Sequence, residues 1–262
     1  MAKVFAIANQ KGGVGKTTTC INLAASLVAT KRRVLLIDLD PQGNATMGSG
    51  IDKHALEHSI YDVLIGECTI ADAMQTAEHG GYKVLPANRD LTAAEVGLLE
   101  MNMKESRLRN ALAPIRDKYD YILIDCPPAL SMLTVNALVA ADGVIIPMQC
   151  EYYALEGLSD LVNTVQRISS LLNPTLKIEG LLRTMYDPRI SLTNDVSNQL
   201  KEHFADQLYQ TVIPRNVRLA EAPSFGMPAL VYDKQSRGAI AYLALAGELV
   251  RRQRASAKPA TA

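Results

Sequence analysis

The 262-residue chain is predicted to fold as an α/β protein, a doubly wound and mostly parallel sheet flanked by helices. Three observations predict it. Strand-like apolar runs alternate with segments of helical spacing along the whole length. Several of those runs are apolar without interruption, as strands covered on both faces are. The glycine-rich and acidic motifs fall where the runs end, which in such a sheet is the ligand-binding rim.

Strands are predicted at Val4–Ala8, Val34–Asp38, Lys83–Pro86, Tyr121–Asp125, Gly143–Met148, Ile178–Thr184 and Leu208–Ile213. Between them, 3.6-residue spacing supports helices at Thr17–Ala29, Arg107–Arg116, Ser131–Ala140, Leu155–Leu172 and Val196–Phe204. A last, small and apolar helix is expected over Ala239–Val250. No repeat or linker divides the chain, so residues 1–262 are expected to form one domain, with about 251–262 as a short, flexible basic tail.

Composition narrows the class. The hydrophobic fraction is 48% and the charged fraction 21%, ordinary for a globular protein with a sizeable core. Formal net charge is zero, so no overall field draws the molecule to nucleic acid or lipid. The charge is unevenly spread, however: residues 177–262 hold 12 Lys/Arg against 8 Asp/Glu. Any basic surface therefore belongs to the C-terminal third. Cys20, Cys68, Cys126 and Cys150 are scattered, with no metal-ligand spacing, and read as reduced thiols. No cleavable leader fits before a motif that begins near residue 10, and the apolar stretch near the end is too short to span a bilayer. A cytoplasmic protein is expected.

The most informative segment is Lys11-Gly12-Gly13-Val14-Gly15-Lys16-Thr17-Thr18, directly after the first strand. Glycines let the backbone turn tightly with its N–H groups inward, giving a concave surface of donors for an anion. The helix that follows adds its positive end. Lys16 is placed to reach terminal phosphates, and the Thr17 hydroxyl to join the shell of a Mg²⁺ ion. A nucleoside triphosphate is the expected ligand. Ile122-Leu123-Ile124-Asp125 is an apolar strand ending in a carboxylate that holds the metal directly or through water. Cys126 follows where many such ATPases carry a glutamate that orients the attacking water, so that task must fall elsewhere. The candidate is Asp40 in Asp38-Leu39-Asp40-Pro41-Gln42-Gly43-Asn44, because proline confines the residue before it to extended geometry.

The glycine segment departs from the general P-loop pattern: Gln10 replaces its first glycine, and a second lysine, Lys11, stands at the entrance. The string resembles the deviant Walker A motif of the ParA/MinD group of ATPases. The Asp-x-Asp-Pro-Gln-Gly-Asn block, Pro214-Arg215-Asn216 with Glu221-Ala222-Pro223-Ser224, and Thr184-Met185-Tyr186-Asp187 resemble the ParA/Soj branch. The matches run from residue 3 to about 250. This resemblance implies a deviant Walker A P-loop fold and an ATPase that uses ATP and Mg²⁺. It implies that Lys11 crosses to the partner's nucleotide in an ATP-bound homodimer, and that residues from Lys11 to Thr18 cradle the phosphates. It further implies that Asp40 polarises the hydrolytic water, that Asp38 lies near the metal with Thr17 and Asp125, and that Pro214 and Asn216 lie along the adenine. Arg189 and Arg218 match positions implicated in non-specific binding of double-stranded DNA.

The implied function is chromosome or plasmid partition. The ATP-bound dimer sits on the nucleoid until a ParB-type centromere-binding protein accelerates hydrolysis. With 3 Phe and no Trp, base stacking is a poor source of DNA affinity, and phosphate contact by arginines is the route left. Arg183, Arg215, Arg237, Arg251, Arg252 and Arg254 are further candidates for that surface. A membrane-cycling relative of the MinD type is the nearest alternative. Such proteins end in a basic amphipathic helix, and residues beyond Val250 contain no large hydrophobe. A nitrogenase iron-protein type of redox function would need paired cysteines, which the scattered four do not supply.

Overall fold

The computed structural model describes residues 1–151 and 154–256. Seven strands form one sheet: β1 (Lys3–Ile7), β2 (Val34–Asp38), β3 (Gln75–Ala77), β4 (Tyr82–Leu85), β5 (Tyr121–Asp125), β6 (Gly143–Gln149) and β7 (Lys177–Thr184). Their order across the sheet is β3-β4-β2-β5-β1-β6-β7. All neighbours pair in parallel except β3 with β4. The switch in winding direction lies beside β1, where the ligand crevice of a doubly wound sheet is expected.

The helices are α1 (Lys16–Ala29), α2 (Asn44–Gly48), α3 (Ile60–Ile65), α4 (Ile70–Ala73), α5 (Leu91–Gly97), α6 (Arg107–Leu112), α7 (Met132–Ala140), α8 (Ala154–Leu171), α9 (Ser191–Phe204), α10 (Val217–Glu221), α11 (Ala229–Tyr232) and α12 (Arg237–Ser256). Alternate residues of each central strand feed two separate cores. Val4, Ala6 and Ile122 join the cluster built with α3 to α9, while Phe5, Ile7 and Leu123 join the one under α1 and α12. That double coverage explains why these strands show no polar alternation.

Several boundaries differ from the sequence expectation. The edge strand β3 is new; it is three residues long, reads Gln-Thr-Ala and turns back through Gly81, whose φ is 70°. Helix α6 stops at Leu112, two residues before Pro114, because proline has no N–H to continue the helical ladder; the Asn110 carbonyl accepts the Ala113 N–H instead (3.3 Å). Helix α12 runs on to Ser256, so positions 251–256 of the expected flexible tail are helical, and 257–262 lie outside the described residues.

The predicted strand Leu208–Ile213 does not form. It meets β7 and its extension at two isolated bridges, Leu181 with Leu208 and Tyr186 with Pro214, and Ile213 donates its N–H to the Arg183 carbonyl at 2.9 Å. Side chains satisfy the backbone between them. The Glu248 carboxylate accepts the N–H groups of Gln210 (2.8 Å) and Thr211 (2.9 Å). The Arg183 guanidinium donates to the Tyr209 carbonyl (2.9 Å) and the Gln210 carbonyl (3.3 Å). The Tyr209 and Ile213 N–H groups still donate to β7 carbonyls, while Glu248 and Arg183 take polar backbone groups of Tyr209 to Thr211, so no continuous ladder is needed.

Burial works against ionisation of Glu248, but the Thr211 and Gln210 donors and Arg252 outweigh it and hold its carboxyl below the usual range. A carboxyl depressed on folding stabilises above its unfolded pKa and ceases to do so as pH falls through its folded one. Glu248→Gln is therefore expected to lower stability near neutral pH by about 1–3 kcal/mol. In denaturant titrations of both proteins the gap should close as pH drops below about 4.

Candidate functional site

The loop between β1 and α1 is bound to the sheet at both ends. Asn9 donates its side-chain amide to the Pro147 carbonyl (2.8 Å) and accepts the Lys11 N–H (2.9 Å). Gly13 and Gly15 have left-handed φ values of 74° and 89°, a conformation that glycine takes without strain. Gly15 caps α1. Among the described residues, the N–H groups of Gly12, Gly13, Val14 and Gly15 have no hydrogen-bond acceptor. Four consecutive free donors at a helix N-terminus form an anion site. Lys16 spans it, its ammonium donating to the Lys11 carbonyl at 3.1 Å. Burial pulls the Lys16 pKa down, while the Asp125 carboxylate opposes that shift.

Behind the loop stand two carboxylates. Asp38 and Asp125 end adjacent strands, are partners in register, and are both fully buried. Asp125 accepts the Thr17 hydroxyl at 2.7 Å and the Cys20 thiol at 3.6 Å. Burial pushes both carboxyls up from the ordinary range, and for Asp125 the neighbouring Asp38 charge adds to it. Among the described residues no group of three or more His, Cys, Asp or Glu forms a metal cage. Mg²⁺, which takes one or two carboxylates and completes its shell with phosphates and water, fits this sparse donor set.

Asp38 has a second task. Its Oδ2 accepts the Thr46 N–H (2.8 Å) and hydroxyl (2.7 Å), and its Oδ1 accepts the Asp40 N–H (3.2 Å). It thus shapes the loop that presents Asp40. Thr46 also accepts the Ala87 N–H at 2.9 Å, tying this loop to the chain beyond β4. Gly43, with φ 61°, lies so close to Ala87 that a Cβ would stand 2.7 Å from its carbonyl oxygen. Asp40 is half-buried, and its Oδ1 accepts the Gln42 N–H at 3.0 Å in an Asx-turn. Thr46 escaped the sequence reading, because nothing in its neighbourhood shows that it lies against Asp38.

Beside the loop, a cavity of about 350 Å³ is lined by Thr18, Thr184, Met185, Pro214, Asn216 and Tyr242, among others. Pro214 and Asn216 are therefore next to the glycine loop although some 200 positions distant in sequence. Asn216 stands at the N-cap of α10 without capping it, and its Oδ1 is buried with no donor. That oxygen lies against Gly238 at the start of α12, where a Cβ would stand 3.1 Å from it.

The basic candidates separate by burial. Lys11 is half-exposed at the entrance and ion-paired with Glu151. Arg189 is 87% exposed and pairs with Asp187 at 2.7 Å; Arg218 pairs with Glu221 at 2.7 Å and Asp233 at 3.4 Å. Arg215, Arg237, Arg251 and Arg254 are exposed. Arg183 and Arg252 are withdrawn from the expected DNA surface. Arg183 is buried and bonds Ser197, Tyr209 and Gln210, while Arg252 is bonded to Leu208 and Glu248 and stacks on the Tyr209 ring.

Comparison with known proteins agrees with this geometry. The family described as AAA domain matches residues 2–178. The sporulation initiation inhibitor protein Soj of Bacillus subtilis is 52% identical over 95% of this chain and 98% of its own. The chromosome partitioning protein ParA of Caulobacter vibrioides is 52% identical over 96% and 95%. Among solved structures, cobyrinic acid a,c-diamide synthase of Mycobacterium smegmatis, with bound ADP and magnesium, is 38% identical with a TM-score of 0.85 over 98% of each chain. With its glycine loop, Asp38/Asp125 pair and late Pro-Arg-Asn block in one crevice, the chain belongs to the ParA/Soj family of chromosome-partitioning ATPases.

Proposed function

We propose that this protein binds ATP with Mg²⁺, dimerises around it, holds duplex DNA in that state without sequence preference, and lets go on hydrolysis. The row of unpaired N–H groups from Gly12 to Gly15, set before the Asp38/Asp125 pair, carries the reading. Thr17 and Asp125 hold the metal, with Asp38 one strand away adding charge and bracing the Asp40 loop. The metal, when bound, offsets charge on the phosphate oxygens. Lys16 and the loop amides cradle the phosphates, Asn216 and Pro214 receive the base, and Asp40 leaves its Asx-turn to orient the attacking water.

Lys11 faces solvent, where it can reach a second copy. Its pair with Glu151 is a surface ion pair, worth about 0–1 kcal/mol, so exchange for a partner's phosphate is cheap. The same holds for Arg189 and Arg218, whose carboxylate partners a DNA phosphate can replace. A dimer doubles these contacts, which makes DNA residence depend on ATP. Family membership supports a ParB-type protein that accelerates hydrolysis, and a place in the cytoplasm on the nucleoid. A MinD-like attachment to membranes is disfavoured by α12, whose Tyr242, Leu245, Ala246 and Leu249 are already buried in the core with α1.

Lys11→Ala should bind Mg-ATP like wild type yet hydrolyse it about tenfold more slowly or worse, measured by phosphate release with DNA and partner present. Lys16→Ala should lose ATP binding, dimer and DNA together. Asp40→Ala should remain a DNA-bound dimer with ATP, by light scattering and co-sedimentation, with log affinity falling linearly in log salt. A monomer of Asp40→Ala in saturating ATP would remove the dimer switch. Asp125→Asn should abolish Mg²⁺-dependent nucleotide binding while leaving the thermal midpoint of the nucleotide-free protein unchanged or higher, because an uncharged amide replaces a carboxyl whose ionisation burial and Asp38 already oppose.

A further inference from the structure

Glycine gives the phosphate loop its shape but does not by itself hold it there. Gly15 follows Val14 with φ 89°, and the peptide joining them has a glycine on one side. Either orientation of that peptide is accessible, because glycine populates both signs of φ. One orientation turns the Gly15 N–H toward the phosphates; the other turns the Val14 carbonyl toward them and repels an anion. In a planar trans peptide the C=O and N–H point in opposite directions, so fixing one oxygen fixes the next donor.

That oxygen is fixed from outside the loop. The Thr184 hydroxyl donates to the Val14 carbonyl at 2.8 Å, across 170 positions of sequence. Thr184 is 2% exposed, ends β7, and is partnered in register with Gln149 of β6. Its Cγ2 and Cβ lie 3.8 and 3.9 Å from the point where a Cβ on Gly15 would stand, so it also covers that face of the glycine. The next residue, Met185, has a left-handed φ of 48°, a costly choice for a long side chain. It turns the chain immediately after Thr184, where the same segment begins to line the cavity beside the loop.

We infer that Thr184 is a positioning residue for the phosphate site: its hydroxyl, bound to the Val14 carbonyl, locks the Val14–Gly15 peptide so that the Gly15 N–H faces the nucleotide's phosphates. This rests on the nucleotide reading of the glycine loop. It assigns a role to the Thr184-Met185-Tyr186-Asp187 block, and it places one support of the phosphate cradle on the strand that also leads to the exposed Arg189.

Titration calorimetry of full-length wild type, Thr184→Val and Thr184→Ser with Mg-ATP, Mg-ADP and AMP tests it. Thr184→Val keeps the shape and loses the hydroxyl. It should fold with wild-type circular dichroism, bind Mg-ATP and Mg-ADP about tenfold or more weakly, and show a smaller advantage of ATP over AMP. Thr184→Ser should restore both affinities. A Thr184→Val protein with a lowered melting temperature but wild-type nucleotide affinities would overturn the inference and leave Thr184 a core residue. Should Thr184→Val not fold, Thr184→Ala with the same serine rescue carries the same expectations. Wild-type protein that binds neither ATP nor ADP would instead overturn the reading of the glycine loop itself.

Discussion

Two carboxylates side by side in a protein interior repel each other and lose hydration, and the register of β2 with β5 imposes that arrangement on Asp38 and Asp125. The opposite charge is supplied within the same crevice by the N-terminal end of α1, the free N–H groups of the glycine loop and the Lys16 ammonium. A bare anion would meet the carboxylates, and a bare cation would find few ligands. A metal-bound polyphosphate satisfies both walls at once. The rest of the fold serves this requirement: a sheet covered on both faces keeps water from the rear of the site, and α1 is held on it by packing with α12.

Positive charge is used in two physically distinct ways. Arg183 and Arg252 are internal, where their donors replace a missing strand ladder and fasten the Leu208–Ile213 segment to β7 and α12. Removing such a buried donor leaves backbone oxygens without partners, so these groups are structural. Lys11, Arg189 and Arg218 lie at the surface in ion pairs that water and salt weaken. Weak pairs would suit the exchange proposed for these groups, onto a second copy's nucleotide or a phosphate backbone.

The two loops that approach the phosphates are anchored in the same way, by hydroxyls of buried threonines that each bond a backbone group far away in sequence. Thr46 joins Asp38 to Ala87, and Thr184 joins β7 to Val14. A threonine on a rigid element is well suited to this, since its branched side chain has few rotamers to lose.

The sequence alone determined the parallel α/β class, because unbroken apolar runs separated by helical spacing need helices on both faces, and the glycine loop after the first strand points to an open, doubly wound sheet. It also determined the glycine loop with Lys16 and Thr17, Asp125 at a strand end, and the Asp38–Asp40 block, since each is a local string whose chemistry follows from neighbouring residues. Tertiary structure alone decided what depends on contacts between distant segments. It set Asp38 beside Asp125, sent Arg183 inward while Arg189 stayed outside, and replaced the expected strand at Leu208–Ile213 by bonds from Glu248 and Arg183. Thr46 and Thr184 belong to the same group: a threonine in isolation carries no sign of the oxygen it will meet. Local strings specify which groups are available, whereas the register of a twisted parallel sheet specifies which of them share a crevice.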